Sequence, residues 1–479
     1  MTATDFMTAA PEWTLLVLIC VVLIADLFVA EEKRIITFGI ALGSVVITLL
    51  TVVTTAPEGA AVLFDGSYIA DSLSKVLKVG VTIFVGLAFV YARDYLQANG
   101  IHKGEFYTLG LFGLLGMMIM TSANSLLTMY LGLETLALSL YALVAIDRNN
   151  ATSAEAAMKY FVLGAIASGA LLYGISWIYG VTGSLQFHEI AGVIQSDPSV
   201  NDLPLWFGLA FIIVGIAFKF GAVPFHMWLP DVYQGARSPI VLYLATAPKL
   251  AALALTLRIL VGGLGDLHDT WAAMIMVLAV LSLLVGNVVA IAQTNIKRML
   301  GYSTIAHVGF ILLAIFCGTE QGDAAALFYV LTYVVAAAGA FGVIIVLSRS
   351  GFEAETLADF KGLNARSPWF ALMMMLILFS LAGIPPLIGF FGKLNVIAAV
   401  LASGYTGLAV LLVLASVIGA YYYLKVIWYM YFEEPEDQAV LQSSPDTRLV
   451  LSLNALAVLA LGIVPSWLWT LCVQVFESV

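Results

Sequence analysis

The chain has 479 residues, of which 62% are hydrophobic and 10% are charged, whereas soluble domains carry about a quarter charged residues. This composition excludes a soluble enzyme, gives no reason to expect a nucleic-acid partner, and indicates an integral membrane protein. The formal net charge of −10 does not identify a partner, because the placement of lysine and arginine is what orients a membrane protein.

Apolar runs of about 18 to 25 residues recur along the whole chain, and a helix needs about 20 residues to cross a bilayer. We therefore predict an all-α polytopic membrane protein with about fourteen transmembrane helices. A β-barrel is disfavoured because the runs are continuously apolar and do not alternate in short segments. The predicted spans are 13–30, 35–54, 70–92, 106–122, 124–146, 156–180, 204–223, 238–261, 271–292, 299–317, 323–348, 367–399, 405–431 and 449–472.

Among the loops, only those that follow odd-numbered spans contain basic residues. Because cytoplasmic loops are enriched in lysine and arginine, we expect the odd loops in the cytoplasm and both termini on the opposite side. The basic residues of these loops are Lys33, Arg34, Arg93, Lys103, Arg148, Lys159, Arg237, Lys297, Arg298, Arg349, Lys361, Arg366 and Arg448.

The three cysteines, Cys20, Cys317 and Cys472, lie far apart in or near apolar segments. They have neither the paired spacing of a zinc site nor that of an iron–sulfur cluster. We expect them to pack as small apolar side chains, with no metal bound by this chain.

Four ionisable residues, Glu134, Lys219, Lys249 and Lys393, lie well inside predicted spans. A charge at mid-membrane costs about 2.5 to 3.5 kcal/mol on insertion scales, so these groups need a partner, water or loss of charge. Salt bridges between helices are one explanation, but a single Glu–Lys pair uses only two of the four. A hydrated ion path is the other.

Four further basic residues, Lys75, Lys78, Arg258 and Lys425, lie within a turn or two of a span end. Long basic side chains at such positions can reach the membrane surface. We therefore expect these four to snorkel, in contrast to the deeper lysines.

Prolines stand beside all three deep lysines. Lys219 begins the stretch KFGAVPFHMW, Pro248 directly precedes Lys249, and Lys393 ends the stretch AGIPPLIGFFGK. Proline frees a backbone carbonyl, which water or a neighbouring helix has to satisfy inside a membrane. Broken helices beside ionisable groups are typical of ion paths in transporters, although a packing kink explains any single proline equally well.

The broken span twelve follows the broken span seven by five spans, and a repeat of an odd number of spans is inverted in the membrane. The displacement along the chain that takes Lys219 to Lys393 also takes Glu134 to the neighbour of His307. We predict two inverted five-helix repeats containing broken helices. The predicted division is 1–104 for three N-terminal helices, 105–262 for the first repeat, 263–432 for the second and 433–479 for a C-terminal helix.

Proton exchange is the best reason to keep a lysine at this depth. Burial favours the neutral form of a lysine and a nearby carboxylate favours the charged form. A change in the separation of Glu134 and Lys219 would therefore switch the lysine between holding and releasing a proton. His307 is a second candidate relay because an imidazole exchanges protons near neutrality, although a hydrogen-bonded core histidine is the alternative reading.

Three stretches carry a family resemblance: KFGAVPFHMWLPDVYQGARSPIVLYLATAPKL, NIKRMLGYSTIAHVGF and LAGIPPLIGFFGKLNVIAA. They resemble the antiporter-like membrane subunits of respiratory complex I, the NADH:quinone oxidoreductase. PDVYQGA followed by LATAPK, together with a lysine at Lys393, is similar to the subunit N branch of that family, which corresponds to mitochondrial subunit 2. Arg237 and Ser238 depart from the usual pattern, which puts a loop in doubt.

The resemblance implies that Glu134 and Lys219 form the charge pair of a first half-channel, with Lys249 as the central connection and Lys393 as the exit of the second. It implies proton translocation in a bacterial inner membrane, coupled to NADH oxidation and quinone reduction in other subunits. The partners implied are membrane and peripheral subunits of complex I, and this chain alone is not expected to catalyse the redox reaction. No cofactor is expected here, since NADH, flavin, iron–sulfur clusters and quinone would belong to those partners.

Three alternatives remain open at this stage. A subunit of a multi-subunit cation/proton antiporter would share the lysine and proline elements. A redox protein with haem or quinone would use His226 and His307, which are the histidines near membrane depth. A structural scaffold would tolerate neutral residues in place of the buried lysines.

Overall fold

The computed structural model describes residues 3–57, 59–196, 202–348, 351–436, 441 and 443–477. Within these ranges the chain is a bundle of helices with one small two-stranded hairpin. Thirteen of the described helices are long and apolar enough to cross a membrane. The prediction of an all-α polytopic membrane protein is therefore confirmed.

The helices are α1 (Ala3–Thr8), α2 (Ala10–Leu27), α3 (Ile35–Thr54), α4 (Ser72–Ala98), α5 (Gly104–Ser122), α6 (Leu126–Val144), α7 (Ala151–Thr182), α8 (Phe187–Ser196), α9 (Leu203–Phe220), α10 (Trp228–Gly235), α11 (Ser238–Ala245), α12 (Ala247–Thr256), α13 (His268–Ile291), α14 (Ile296–Phe316), α15 (Glu320–Leu347), α16 (Leu363–Arg366), α17 (Pro368–Ala382), α18 (Ile388–Ala402), α19 (Thr406–Phe432), α20 (Pro445–Ile463) and α21 (Pro465–Glu477). Strands β1 (Ala61–Leu63) and β2 (Tyr68–Ala70) form an antiparallel hairpin. Shorter turns cover Glu31–Lys33, Gly265–Leu267 and Leu357–Phe360, and the π-helical stretch Leu257–Gly263 extends α12.

Thirteen of the predicted spans coincide with long helices, one of which combines α11, α12 and the π-helical stretch. The remaining span, 367–399, consists of the two shorter apolar helices α17 and α18. Several helices run past the predicted ends because polar residues cap them. Asn150, for example, accepts the N–H of Ser153 at 3.0 Å and starts α7 more than a turn before the apolar run.

Helices α11, α12, α14 and α15 form the centre of the bundle. Every residue in the apolar window of Ser238–Gly263 is buried, whereas only 28% of the window of α2 is. The outer helices expose apolar side chains such as Leu27, Val417 and Leu453, which suits contact with lipid tails. Polar groups on the central helices are therefore shielded from both lipid and bulk water.

Loops that follow odd-numbered spans meet at one end of the bundle. Arg237 pairs with Asp147 at 2.6 Å, and Lys297 pairs with Glu355 at 3.0 Å. Each pair joins two different odd loops, so these loops share one face, as the distribution of basic residues predicts. The side of the membrane on which this face lies stays a prediction.

Two of the four basic residues expected to snorkel do not reach the membrane surface. Lys78 is buried and pairs with Glu12 at 2.6 Å, and Arg258 makes two hydrogen bonds of 2.6 and 2.7 Å to Asp71. Both acidic partners come from distant parts of the chain, so sequence position alone could not reveal them. Lys75 is exposed, as expected.

Two helix pairs pack in the same way, α5 against α6 and α13 against α14. A Cβ atom at Gly116 would lie 2.6 Å from the backbone nitrogen of Leu136, and one at Gly286 would lie 2.5 Å from that of Ala306. Glycine permits this close approach of two membrane helices. The displacement along the chain from Gly116 to Gly286 is the same as that from Leu136 to Ala306.

Backbone bridges repeat with this same displacement. Ser125 bridges Gln186, and Asn295 bridges Thr356. Each bridge ties the start of one helix to the loop after the next helix. The first bridge involves even loops and the second involves odd loops, so the two copies are inverted relative to each other.

The displacement from Gly116 to Gly286 corrects the register taken from the ionisable residues. It places Thr304 of α14 at the position equivalent to Glu134 of α6, and His307 lies about one turn further along. The predicted equivalence of Glu134 and His307 is therefore wrong by about one helical turn. Backbone contacts define the register better than titratable residues because function can move a side chain to a neighbouring turn.

Candidate functional site

Two membrane helices end in the same motif. Helix α9 is terminated by Gly221 with φ 79°, and α17 by Gly383 with φ 87°. The N–H that follows each glycine bonds back into its helix, Ala222 to the carbonyl of Ala217 at 2.8 Å and Ile384 to that of Phe379 at 2.9 Å. Glycine is required because the left-handed conformation closes this type of helix end.

The two breaks also correct the predicted pairing of the lysines. The displacement from Gly221 to Gly383 places Leu381, and not Lys393, at the position equivalent to Lys219. Lys219 precedes its break, whereas Lys393 follows its own. The two lysines therefore stand on opposite sides of the same motif.

A lysine ammonium binds the last carbonyl before each break. Lys249 Nζ donates to the carbonyl of Phe220 at 2.9 Å, and Lys393 Nζ donates to the carbonyl of Ala382 at 2.9 Å. Phe220 and Ala382 each directly precede the glycine of their break. A positive charge is favourable there because the last carbonyls of a helix lack partners and carry partial negative charge. Lys249 and Lys393 are therefore the equivalent lysines in space, although one comes from α12 and the other from α18.

Glu134 and Lys219 line one cavity of about 20 Å³ between α6, α7 and α9. Ser168 of α7 donates a short hydrogen bond to the Glu134 carboxylate, and Tyr130 lies 3.1 Å from the Ser168 hydroxyl. The cavity is large enough for one water, which needs about 10 to 15 Å³. A water there would connect the carboxylate with the ammonium, so the sequence prediction that these two residues belong together is compatible with their geometry.

Trp228 contacts both this cavity and the neighbourhood of Lys249. Its ring lines the cavity, its Nε1 donates to the carbonyl of Phe218 at 3.0 Å, and it stacks on Tyr160 at a centroid distance of 4.6 Å. Lys249 Nζ is 6.0 Å from the centroid of the indole, a distance at which the ring still attracts a cation. Trp228 therefore contacts both the cavity of Lys219 and the neighbourhood of Lys249.

His307 and Lys393 line a second cavity of about 10 Å³. Both ring nitrogens of His307 are engaged, Nδ1 with the Tyr329 hydroxyl at 2.7 Å and Nε2 with the Tyr423 hydroxyl at 3.0 Å. Ser303 continues this chain by a short hydrogen bond to Tyr423. Each hydroxyl can both donate and accept, so the groups around His307 form one connected hydrogen-bond network.

Within the described residues, salt bridges do not account for the three deep lysines. Among the described residues, no carboxylate oxygen lies within 4.0 Å of the Nζ of Lys219, Lys249 or Lys393. Lys249 and Lys393 are buried, with 2% and 7% of their surfaces exposed. The explanation by interhelical ion pairs is therefore not supported for these three residues, although it holds for Lys78.

Sequence reasoning found the charged members of the site and missed its neutral members. Ser168, Trp228, Tyr329 and Tyr423 belong to four different helices, α7, α10, α15 and α19. Their positions become informative only when the helices are packed. The glycine and proline pattern indicates free carbonyls at the helix breaks, but it does not show which lysine binds the carbonyl of Phe220 or that of Ala382.

Arg237 and Ser238, which depart from the family pattern, lie at the odd-loop face. Arg237 pairs with Asp147, and the Ser238 hydroxyl makes a hydrogen bond to Glu353. Glu353 also accepts from Tyr95. The departures therefore build a loop contact and leave the buried lysines untouched.

Comparison with known proteins gives one family. The family described as "NADH:quinone oxidoreductase/Mrp antiporter, TM" matches residues 123–419. The NADH-quinone oxidoreductase subunit N of Thioalkalivibrio sulfidiphilus is 55% identical over 468 residues, covering 98% of this chain and 97% of that protein.

Solved structures give the same result for the fold. A chain of respiratory complex I from Thermus thermophilus, in a structure with bound aureothin, matches with a TM-score of 0.81 and 31% identity, covering 96% of this chain and 98% of that one. A chain of the Mrp complex from Dietzia sp. matches with a TM-score of 0.81 and 20% identity, covering 99% and 97%. The latter likeness concerns the fold alone.

Proposed function

The chain belongs to the family of NADH-quinone oxidoreductase subunit N, and we propose that it moves protons across the membrane as an antiporter-like subunit of that enzyme complex. It is a membrane subunit of complex I, and in this proposal NADH, flavin, iron–sulfur clusters and quinone belong to partner subunits. The chain itself contributes ionisable groups at two helix breaks. Its part in the enzyme is translocation, with no redox step of its own.

The observation that carries this proposal is that, within the described residues, no carboxylate oxygen lies within 4.0 Å of the ammonium of any of the three deep lysines, while two of these lysines hold backbone carbonyls at helix breaks. A purely structural lysine in a membrane is paired, because an unpaired ion costs about 2.5 to 3.5 kcal/mol or more. A lysine bound by an uncharged carbonyl can lose its proton without leaving a buried counter-charge behind. Such a group is suited to take up and release protons.

In the first half of the proposed path, Glu134 controls whether Lys219 carries a proton. The Glu134 carboxylate and the Ser168 hydroxyl both line the cavity shared with Lys219. A movement of the carboxylate towards Lys219 would favour the charged lysine, and a movement away would remove that support. In this proposal a proton released by Lys219 passes to Lys249, and Trp228 contacts the neighbourhoods of both lysines. Lys249 then connects the two halves.

In the second half His307 and Lys393 face one cavity. The hydroxyls of Tyr329 and Tyr423 accept and donate at the two imidazole nitrogens, so a proton can enter at one nitrogen and leave at the other. Lys393 is the exit group in this proposal. The assignment of all five groups, Glu134, Lys219, Lys249, His307 and Lys393, is part of the proposal.

The first prediction tests the charge pair. Lys219→Ala and Glu134→Ala should each reduce NADH-driven proton transport by about 10²-fold, which is the usual contribution of a positioned proton-transfer group, while the complex still assembles. Acidification of proteoliposomes containing the purified complex measures this, with quinone reduction followed in parallel.

Lys33→Ala is the matched control, because Lys33 is an exposed lysine of an odd loop. Full transport by either assembled mutant of the pair, at the level of Lys33→Ala, would refute the role of Glu134 and Lys219. If the alanine variants do not assemble, Lys219→Met and Glu134→Gln take their place, because they keep the side-chain volume.

The alternative, a subunit of a multi-subunit cation/proton antiporter, shares the fold of the Mrp chain. The identity of 55% to a subunit N over nearly the whole chain supports the respiratory function over this alternative. The two functions differ in their partners. Isolation of the tagged chain from its native membrane should bring down flavin and iron–sulfur subunits, and a complex without them would favour the antiporter.

We also propose the orientation in which the odd loops face the cytoplasm and both termini face the periplasm of a bacterial inner membrane. The second prediction follows from it. A cysteine introduced at Lys361 should react with a membrane-impermeant maleimide only from the cytoplasmic side, and one at Asp266 only from the periplasmic side. Reversed labelling would overturn the orientation without affecting the proposed path.

The division of the chain into 1–104, 105–262, 263–432 and 433–479 is likewise a proposal. The repeated glycine contacts, bridges and helix breaks support it, because each pair has one member in 105–262 and one in 263–432. The stretch from Gly116 to Gly221 is somewhat longer than the stretch from Gly286 to Gly383. The first repeat therefore has extra residues ahead of its break.

A further inference from the structure

An open groove runs along α4 on the outside of the bundle, away from the proposed proton path. Its volume is about 570 Å³, and its walls come from α4, α15, α20 and α21. The walls are mainly apolar and include Ile83 and Trp467, whose surfaces are 47% and 64% exposed. An exposed apolar groove of this size on a membrane protein faces lipid unless a partner covers it.

The groove has one polar end and one apolar end. The groove lining includes two exposed polar residues, Lys75 near the start of α4 and Gln474 near the end of α21, whereas the apolar Phe84 lies more than two turns further along α4 than Lys75. The stretch of α4 from Ser72 to Phe84 in its wall corresponds to a rise of about 18 Å along a helix. One leaflet of the hydrocarbon core is about 15 Å thick. The groove therefore extends from the membrane surface to about the bilayer centre.

Among the described residues, Lys75 is the basic residue at this end for which no ion pair is formed. The two other basic residues close by are neutralised, Lys78 by Glu12 and Arg258 by Asp71. Lys75 makes no ion pair with any residue in the described part of the chain. It also lines an adjoining cavity of about 260 Å³, so a group bound at its ammonium has room beside the groove.

We propose that this groove binds one anionic phospholipid, with an acyl chain along α4 and the phosphate at Lys75. The charge of Lys75 matches the phosphate, and the apolar length matches a chain confined to one leaflet. Gln474 supplies an amide N–H for the same headgroup. A transmembrane helix of a partner would bury the walls equally well but would leave the ammonium of Lys75 without an anion.

The test measures phospholipid bound to the purified, assembled complex after mild delipidation and titration with phosphatidylglycerol, read by native mass spectrometry. Wild type and Lys75→Arg should bind one more phosphatidylglycerol than Lys75→Gln, whose affinity should be about fivefold lower, the change usual for one basic residue near an anionic lipid surface. Ile83→Trp fills the apolar part of the groove and should weaken binding with Lys75 intact. Lys33→Gln removes an exposed lysine elsewhere and should behave as wild type.

The inference is independent of proton transport, because the bound lipid is counted directly and not through activity. Equal phosphatidylglycerol binding by wild type and Lys75→Gln would overturn it. Equal retention of phosphatidylethanolamine, or crosslinking of a photoreactive group at Ile83 to a partner subunit in place of lipid, would also overturn it. Only assembled complexes are measured. If Lys75→Gln does not assemble, phosphatidylglycerol binding by Lys75→Arg and Ile83→Trp, compared with wild type, decides the result.

Discussion

The two halves of the proposed path share a helix break and differ in the charges around it. In the first half Glu134 and Lys219 are partly exposed at the edge of the bundle, and the break is bound by Lys249 from another helix. In the second half His307 and Lys393 are buried, and the break is bound by a lysine of its own second segment. The first half holds a carboxylate and two lysines, whereas the second holds an imidazole and one lysine.

The difference indicates that the backbone break is the common unit and that the ammonium can be supplied from more than one element. A free carbonyl at a glycine-terminated helix end accepts a hydrogen bond from whichever donor reaches it. The sequence position of the lysine is then free to differ by many residues. This explains why Lys219 and Lys393, which look like a pair along the chain, are not equivalent in space.

The third prediction separates binding of the carbonyl from transfer of a proton. Lys393→Arg keeps a positive charge and an N–H donor for Ala382 but cannot release a proton near neutrality. We expect proton transport to fall by about 10²-fold, and Lys393→His to retain more because an imidazole exchanges protons. Lys249→Arg should show the same loss if both breaks work alike. The measurement is protons pumped per NADH in proteoliposomes at equal assembly.

Arginine variants that pump as well as wild type would show that only the positive charge is needed at the breaks, and the relay role would be wrong. If Lys393→Arg loses proton pumping and Lys249→Arg keeps full pumping, the relay role is confined to the second half of the path. Lys393→Met, which removes both the charge and the donor, shows the effect of an unfilled carbonyl.

The fourth prediction compares the two glycines that end the broken helices. A Cβ atom at Gly383 would lie 2.8 Å from Cδ of Lys393, and one at Gly221 would lie 2.5 Å from Cδ1 of Leu229. An alanine at either position also loses about 1 to 2 kcal/mol to the left-handed conformation. Both variants should lower the melting temperature of the complex. Only Gly383→Ala displaces a lysine directly, so it should reduce proton pumping more than Gly221→Ala does at an equal loss of melting temperature.

Gly404→Ala controls for backbone strain. Its φ is 86°, and a Cβ atom there would meet nothing within 4 Å. Gly404→Ala should therefore show the loss of stability caused by the left-handed backbone conformation alone, because no neighbouring side chain is displaced. If Gly404→Ala and Gly383→Ala impair pumping equally, contact with Lys393 is unimportant.

The fifth prediction has the smallest expected effect and compares the neutral partners of the two halves. Tyr329→Phe leaves a buried nitrogen of His307 without its hydroxyl partner, at a cost of about 1 to 3 kcal/mol. Ser168→Ala removes one donor from Glu134, which is partly exposed and can be hydrated, so the cost should be only about 1 kcal/mol. Proton transport at equal assembly should rank wild type, Ser168→Ala and then Tyr329→Phe. The reverse order would mean that the first half limits transport.

The sequence by itself determined the membrane class, the number of spans and the four deep charged residues. Continuous apolar runs of bilayer length leave little freedom, because every backbone group inside lipid has to be bonded within a helix. Charges inside such runs are conspicuous for the same reason, so Glu134 and the three lysines could be chosen without a structure. The glycines and prolines near them also located both helix breaks.

Tertiary structure alone decided which groups meet. From the sequence, Lys78 and Arg258 are expected at the membrane surface. In the fold, α2 brings Glu12 to Lys78, and the junction of β2 and α4 brings Asp71 to Arg258. His307 likewise gains its two tyrosines from α15 and α19. A hydrogen bond acts over about 3 Å, and helix packing can bring a group from any part of the chain to that distance.

The register of the repeats depends on packing for the same reason. Backbone contacts gave shorter displacements between the two copies than the charged residues suggested, because a lysine can reach a helix break from more than one helix. The residue types were therefore readable from the sequence, but the pairing of Lys249 with Phe220 and of Lys393 with Ala382 was not.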